Sequence, residues 1–167
     1  MTSGDTLQQF FPADNEPPVS INGLGFATLD TRNSVEPINC LNFPVSIQTG
    51  SQFTGLLPRY YAGGAFTVQY VWSAASVGTG AVVWAAAAVQ MASNFNVSAT
   101  PFTYSTTILA TVSATTPGLL VYSTIALSVP AFVSGNMFRL SFDRVGSGTG
   151  DNMAGAAQLY SVEIKES

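Results

Sequence analysis

The chain has 167 residues (17.4 kDa) and a net charge of −4, and only 8% of its residues are charged, against roughly a quarter in an ordinary soluble domain. That length builds one domain with a sizeable core, and 47% hydrophobic residues exclude intrinsic disorder. Five basic residues without a stripe exclude a nucleic-acid surface; with no histidine and a single cysteine, Cys40, His-based triads are excluded and zinc lacks its usual ligands.

Residues 1–20 stand apart. They hold Asp5, Asp14, Glu16, a Phe10-Phe11-Pro12 knot and Pro17-Pro18, with no period of 2 or 3.6. They read as an extended N-terminal arm, anchored by Phe10 and Phe11 in a pocket of the same or a neighbouring subunit, or as a frayed terminus. The opening Met-Thr-Ser-Gly-Asp-Thr-Leu has neither a basic nor an apolar signal region, so the product is expected to stay in the cell that makes it.

From residue 21 to 167 the pattern is that of a single β domain. Strands are expected over Phe26–Asp30, Ile38–Phe43, Val45–Thr49 and Gln52–Leu57, the last two split by Gly50. Pro58 to Gly64 reads as a loop around Arg59, the one charged residue between Glu36 and Arg139. Phe66, Val68, Tyr70 and Trp72 then alternate with Thr67, Gln69, Val71 and Ser73, which predicts a strand with a bulky core face. Gly78-Thr79-Gly80 turns the chain into Val82–Met91. This segment reads as strand, with three helical turns over its alanine run (Ala85 to Ala88) as the alternative. At Ala81–Ala92 the chain is too short an apolar run to span a bilayer, which takes about 20 residues.

Further strands are expected over Phe102–Tyr104, Ile108–Val112, Leu119–Val129, Met137–Val145 and Ala156–Ile164. Phe138, Leu140 and Phe142 share one face, with Arg139, Ser141 and Asp143 on the other; Tyr160, Val162 and Ile164 are in step. Arg139 and Asp143, about 13 Å apart along one strand, are expected to pair with neighbouring strands. Eight to ten strands with regular turn signals indicate an all-β antiparallel sandwich, and a jelly roll fits the count best.

Little in the chain supports chemistry. Paired carboxylates for glycoside hydrolysis would have to come from Asp30, Glu36, Asp143, Asp151 and Glu163. Asp151-Asn152 with Asp143 offers oxygen ligands to calcium but reads better as a turn, with side chains bonded to backbone. The glycine run from Gly146 to Gly150 lacks the Lys and helix of a phosphate loop and reads as a hairpin tip. Asn96-Val97-Ser98 fits the glycosylation pattern by chance. Cys40 reads as a buried thiol. No catalytic residue, cofactor or metal is expected, and the chain does not read as an enzyme. Candidate sugar-stacking rings are Trp72, Trp84, Tyr60, Tyr61 and Tyr122, of which Trp72 shares the parity of the core. Arg59, Tyr60 and Tyr61 form either an interface patch or a cap on the end of the sandwich.

Three stretches carry a resemblance: Leu29-Asp30-Thr31-Arg32-Asn33-Ser34, the run from Phe53 to Gly64, and the run from Asp151 to Leu159. Across most of residues 26–166 the chain resembles small β-rich virion proteins of tailed bacteriophages, most of all capsid decoration (cement) proteins. The resemblance implies a homotrimer on the outer capsid surface that clamps major capsid proteins, made in the host cytoplasm, with no nucleic-acid or membrane partner. Its interface would include Phe10, Phe11, Arg59, Tyr60 and Tyr61, and the arm would reach across subunits. The alternative is a carbohydrate- or receptor-binding module of a phage tail or fibre, using rings around Tyr60, Tyr61 and Trp84.

Overall fold

Alternation of large apolar and polar residues lays down most of the strands. The computed structural model describes residues 4–19, 22–23, 28–30, 37–45, 47–75, 80–100, 102–105, 107–129, 132–146 and 148–167. Phe26, the Gly78-Thr79 turn and the Arg32-Asn33-Ser34 stretch lie outside these residues. Within them run β1 (Thr6–Phe10), β2 (Asn22–Gly23), β3 (Thr28–Asp30), β4 (Ile38–Phe43), β5 (Gln48–Leu56) and β6 (Phe66–Ala74). There follow β7 (Gly80–Met91), β8 (Ile108–Ala114), β9 (Val121–Leu127), β10 (Met137–Val145) and β11 (Ala157–Glu166).

Two sheets result, one ordered β3-β4-β11-β6-β9 with β1 also on β11, the other β2-β5-β10-β7-β8. All pairs are antiparallel except β2 with β5. The eight strands β4 to β11 alternate between the sheets except at the β7–β8 hairpin, with the wiring of a jelly roll. The fold is therefore an all-β, jelly-roll-like sandwich, with its N-terminal residues extended along the outside.

The core lies between the sheets. From one side come Phe66, Val68, Tyr70 and Trp72 of β6 and Val162 and Ile164 of β11; from the other, Phe138, Leu140 and Phe142 of β10 and Trp84 of β7. Trp84 is the hub, stacked on Phe142 at 5.2 Å and edge-on to Phe43, Tyr70 and Trp72 at 5.0, 5.7 and 5.7 Å. Val82–Met91 is strand: β7 pairs with β8 and with β10, and these ladders override the helix propensity of its alanines.

The structure corrects four expectations. Val45–Thr49 and Gln52–Leu57 are not two strands, because Gly50 and Ser51 stay in register with Asp143 and Phe142 and the Ser51 hydroxyl donates to the Phe142 carbonyl. Phe102–Tyr104 is not a strand; this segment lies along β7, tied by the Ser105 amide to the Ala88 carbonyl and by the Ala88 amide to Ser105 Oγ. The run from Gly146 to Gly150 is not a hairpin tip, since β10 and β11 belong to different sheets. Tyr160 does not share a face with Val162 and Ile164: the register of β11 on β6 slips between Leu159 and Ser161, and this bulge turns Tyr160 outward.

The N-terminal residues are fastened to their own domain. β1 pairs along β11, and Phe10 is buried, stacked on Phe53 at 5.2 Å. Gly55 makes room for it, since a Cβ there would meet the Phe10 ring at 2.9 Å and Phe138 at 3.0 Å.

Candidate functional site

The outer face of the β4-β11-β6-β9 sheet carries a groove of about 630 Å³. Its floor is Val71 of β6 and Ser161 of β11, the outward-pointing residues of strands whose other faces build the core. Ile38 and Asn39 of β4 lie on one side, and Leu120 and Tyr122 at the start of β9 on the other. Phe11, Pro12 and Ala13, in the turn after β1, and Pro37 complete the walls.

Tyr122 presents its ring to solvent (66% exposed), and Phe11, Ile38 and Leu120 are also open. The β11 bulge supplies the polar part: Tyr160 enters the groove with its hydroxyl 3.0 Å from that of Ser73, beside Ser161 and Asn39. Among the described residues, no acidic or basic side chain lines the groove. Apolar and aromatic walls with a few fixed hydroxyl and amide groups suit a neutral polar ligand, bound by stacking and hydrogen bonds.

The candidate residues from the sequence are dispersed. Trp72 and Trp84 are wholly buried, so neither can stack on a ligand. Tyr60 is exposed, its hydroxyl donating to the Thr6 carbonyl at 2.8 Å, whereas Tyr61 is buried against Phe66 and donates to the Gly64 carbonyl. Glu166 Oε1 accepts the Ala62 and Gly64 amides, at 3.0 and 3.2 Å. The loop thus closes the end of the sandwich. A joint platform of Tyr60, Tyr61 and Trp84 does not exist, because two of the three rings belong to the interior. Arg59 and Phe11 are exposed, and Phe10 is buried. Of the sugar-stacking candidates in the sequence, Tyr122 lines this groove.

Three described acidic residues lie elsewhere and are engaged. Asp151 pairs with Arg144, Glu16 with Arg139 at 2.6 Å, and Glu163 with Lys165 at 3.3 Å and with the Thr6 hydroxyl. Asp151 and Asn152 bond the Val83 and Ala81 amides of β7, as the turn reading expected of their type, and among the described residues no cluster of three metal-ligating side chains occurs.

Segment 102–105, lying along β7, sends the Phe102 and Tyr104 side chains over the outer face of the other sheet. The Phe102 ring lies 4.8 Å from the Arg139 guanidinium, and Gln52 Nε2 of β5 donates to the Tyr104 hydroxyl at 3.1 Å. Beneath it Asp143 accepts the Ser141 hydroxyl at 3.2 Å. Burial pushes the Asp143 carboxyl up to about 6, with the Ser141 hydroxyl and Ser51 amide opposing.

No protein-family model matches the chain, and no curated protein matches it. Solved structures share its fold. An isomalto-dextranase of Arthrobacter globiformis T6, complexed with panose, superposes with a TM-score of 0.53 at 14% identity, over 95% of this chain and 23% of that one. An exo-β-1,3-galactanase of Phanerochaete chrysosporium, with β-1,3-galactotriose, gives 0.52 at 9% identity, over 96% of this chain and 29% of that one. The CBM22-1 xylan-binding domain of Paenibacillus barcinonensis Xyn10C gives 0.47 at 9% identity, over 99% and 97%. The chain thus spans under a third of the length of the two enzymes.

Proposed function

We propose that this domain is a non-catalytic carbohydrate-binding module whose ligand lies in the groove beside Tyr122. The observation that carries the reading is the open Tyr122 ring in a groove whose described lining is uncharged, next to the hydroxyl and amide groups of Tyr160, Ser161 and Asn39. A pyranose has one apolar face for a ring and a rim of hydroxyls for such groups, so a neutral saccharide matches the lining. The shared fold with a dextran-directed and a galactan-directed enzyme supports the reading without deciding it. The capsid decoration reading draws no support from the fold or the groove, and stands behind it.

The test is titration calorimetry with neutral oligosaccharides, starting from panose and β-1,3-galactotriose. Binding to at least one neutral saccharide is expected, weakened at least tenfold by Tyr122→Ala, a loss of about 1.4 kcal/mol or more. No binding to any neutral saccharide, or unchanged binding by Tyr122→Ala, would overturn it. Release of reducing ends from a bound glycan would contradict the non-catalytic part.

A further inference from the structure

The two sides of the sandwich are finished differently. On one side N-terminal residues cover the sheet edges. β1 runs along β11, β2 pairs with β5, β3 flanks β4, and Asn15 and Glu16 bond the backbone of Gln52 in β5. On the other side β8 and β9 end their sheets, and among the described residues no backbone hydrogen bond reaches the outer edge of either.

An open edge is a template for another strand, and proteins blunt it with charges, prolines or bulges. β9 has none of these. It reads Val-Tyr-Ser-Thr-Ile-Ala-Leu, and its register on β6 runs unbroken from Val121 opposite Trp72 to Leu127 opposite Phe66. β9 exposes Tyr122, and Leu119 and Leu120 just before it are exposed as well, whereas β8 exposes Leu109 alone among its large apolar side chains.

We propose that β9 pairs with β9 of a second copy of this chain, antiparallel about a two-fold axis at Thr124, so that two sheets become one. The strand is complementary to itself in that register. On the outer face Tyr122 lies opposite Ala126 of the second copy, large against small, and Thr124 lies opposite Thr124. On the inner face Val121 meets Leu127, and Ser123 meets Ile125. Cross-strand pairs of this kind, apolar with apolar and Thr with Thr, are the favourable ones, and no like charges are brought together. A two-fold axis normal to the sheet keeps both grooves on one side, with the two Tyr122 backbones about 14 Å apart. The pairing does not depend on the carbohydrate reading.

Sedimentation velocity from micromolar to several hundred micromolar tests it. A monomer–dimer equilibrium is expected, with Thr124→Lys raising the dissociation constant at least tenfold and Thr111→Lys, at the centre of β8, leaving it unchanged; circular dichroism checks that both fold. Facing residues at Thr124 would have Cα atoms about 4.5–5.5 Å apart, within disulfide reach. Thr124→Cys should therefore oxidise to a covalent dimer, while Ala126→Cys, about 14 Å from its own copy, should not. Cys40 is fully buried and does not compete. A monomer throughout the range, a dimer broken by Thr111→Lys but not by Thr124→Lys, or equal cross-linking at both cysteines would each overturn the proposal.

Discussion

Arg144 is the most constrained side chain in the domain. Its guanidinium is wholly buried, and its five N–H groups have five acceptors: both Asp151 oxygens, at 2.9 and 2.8 Å, and the carbonyls of Phe43, Met153 and Gly155. These bonds tie β10 to the end of β4 and to the chain leading into β11. Removing one partner would strand a buried charge, so Asp151→Ala should lower unfolding free energy by about 3–5 kcal/mol in urea titration. An apolar replacement of both, Arg144→Met with Asp151→Leu, should cost less than either single change. Asp143 gives a second prediction, with the opposite sense to a salt-bridged acid. Its folded value of about 6 exceeds the ordinary 3.8, so the folded state holds more protons between those limits and stability falls as pH rises through them. The loss is on the order of 3 kcal/mol, complete above about pH 6. Asp143→Asn should flatten this part of the stability–pH curve; a wild-type curve that rises from pH 4 to 6.5, with the variant parallel to it, would contradict the assignment.

At the scale of elements, β7 shows what its alanines are for. Ala86 and Ala88 point inward beside Phe142 and Leu140, where a larger side chain would collide with the aromatic cluster. Ala85 and Ala87 point outward and are still buried, at 2% and 4% exposure, because segment 102–105 lies over this face. Small residues here admit a close neighbour, and that neighbour is the chain itself. Ala87→Leu should therefore overpack, costing about 1–3 kcal/mol in thermal unfolding and speeding amide exchange at Tyr104 and Ser105. The β11 bulge is the other decisive element. One extra residue moves Tyr160 from the core parity to the groove, where its hydroxyl meets Ser73. Alternation in the sequence contains no mark of that slip, because Tyr suits either face.

At the scale of the whole molecule, residues 4–16 act as a seam rather than a projection. Leu7 and Phe10 enter the core, and Glu16 accepts from Arg139 and from the Thr54 hydroxyl. Phe10→Ala should then destabilise the entire domain by about 3–5 kcal/mol, read as one cooperative transition. Loss of a separate early transition alone would instead mark the segment as an appendage. The seam also explains part of the low charge: neutral backbone and amide groups of Asn15 and Gln52 hold it down, and segment 102–105 covers further neutral surface. Part of what remains open and uncharged lies at the groove and beside β9, at Phe11, Ile38, Leu119, Leu120 and Tyr122.

Strand content, the bulky faces of β6 and β10 and the choice of a jelly roll were legible in the chain, because period-two alternation is imposed locally by the pleat. Tyr122 was legible as a ring that could stack, and Arg59-Tyr60-Tyr61 as either patch or cap. Burial of Trp84, the cap role of Tyr61, the pairing of Arg144 with Asp151 and the groove itself were not. Each depends on which residues distant in sequence the sheet order brings together: Phe43, Tyr70 and Phe142 around Trp84, or Asn39, Tyr122 and Tyr160 along one face. Local pattern determines that a side chain points to one face of a strand; only the stacking of strands decides whether that face meets a neighbour or water.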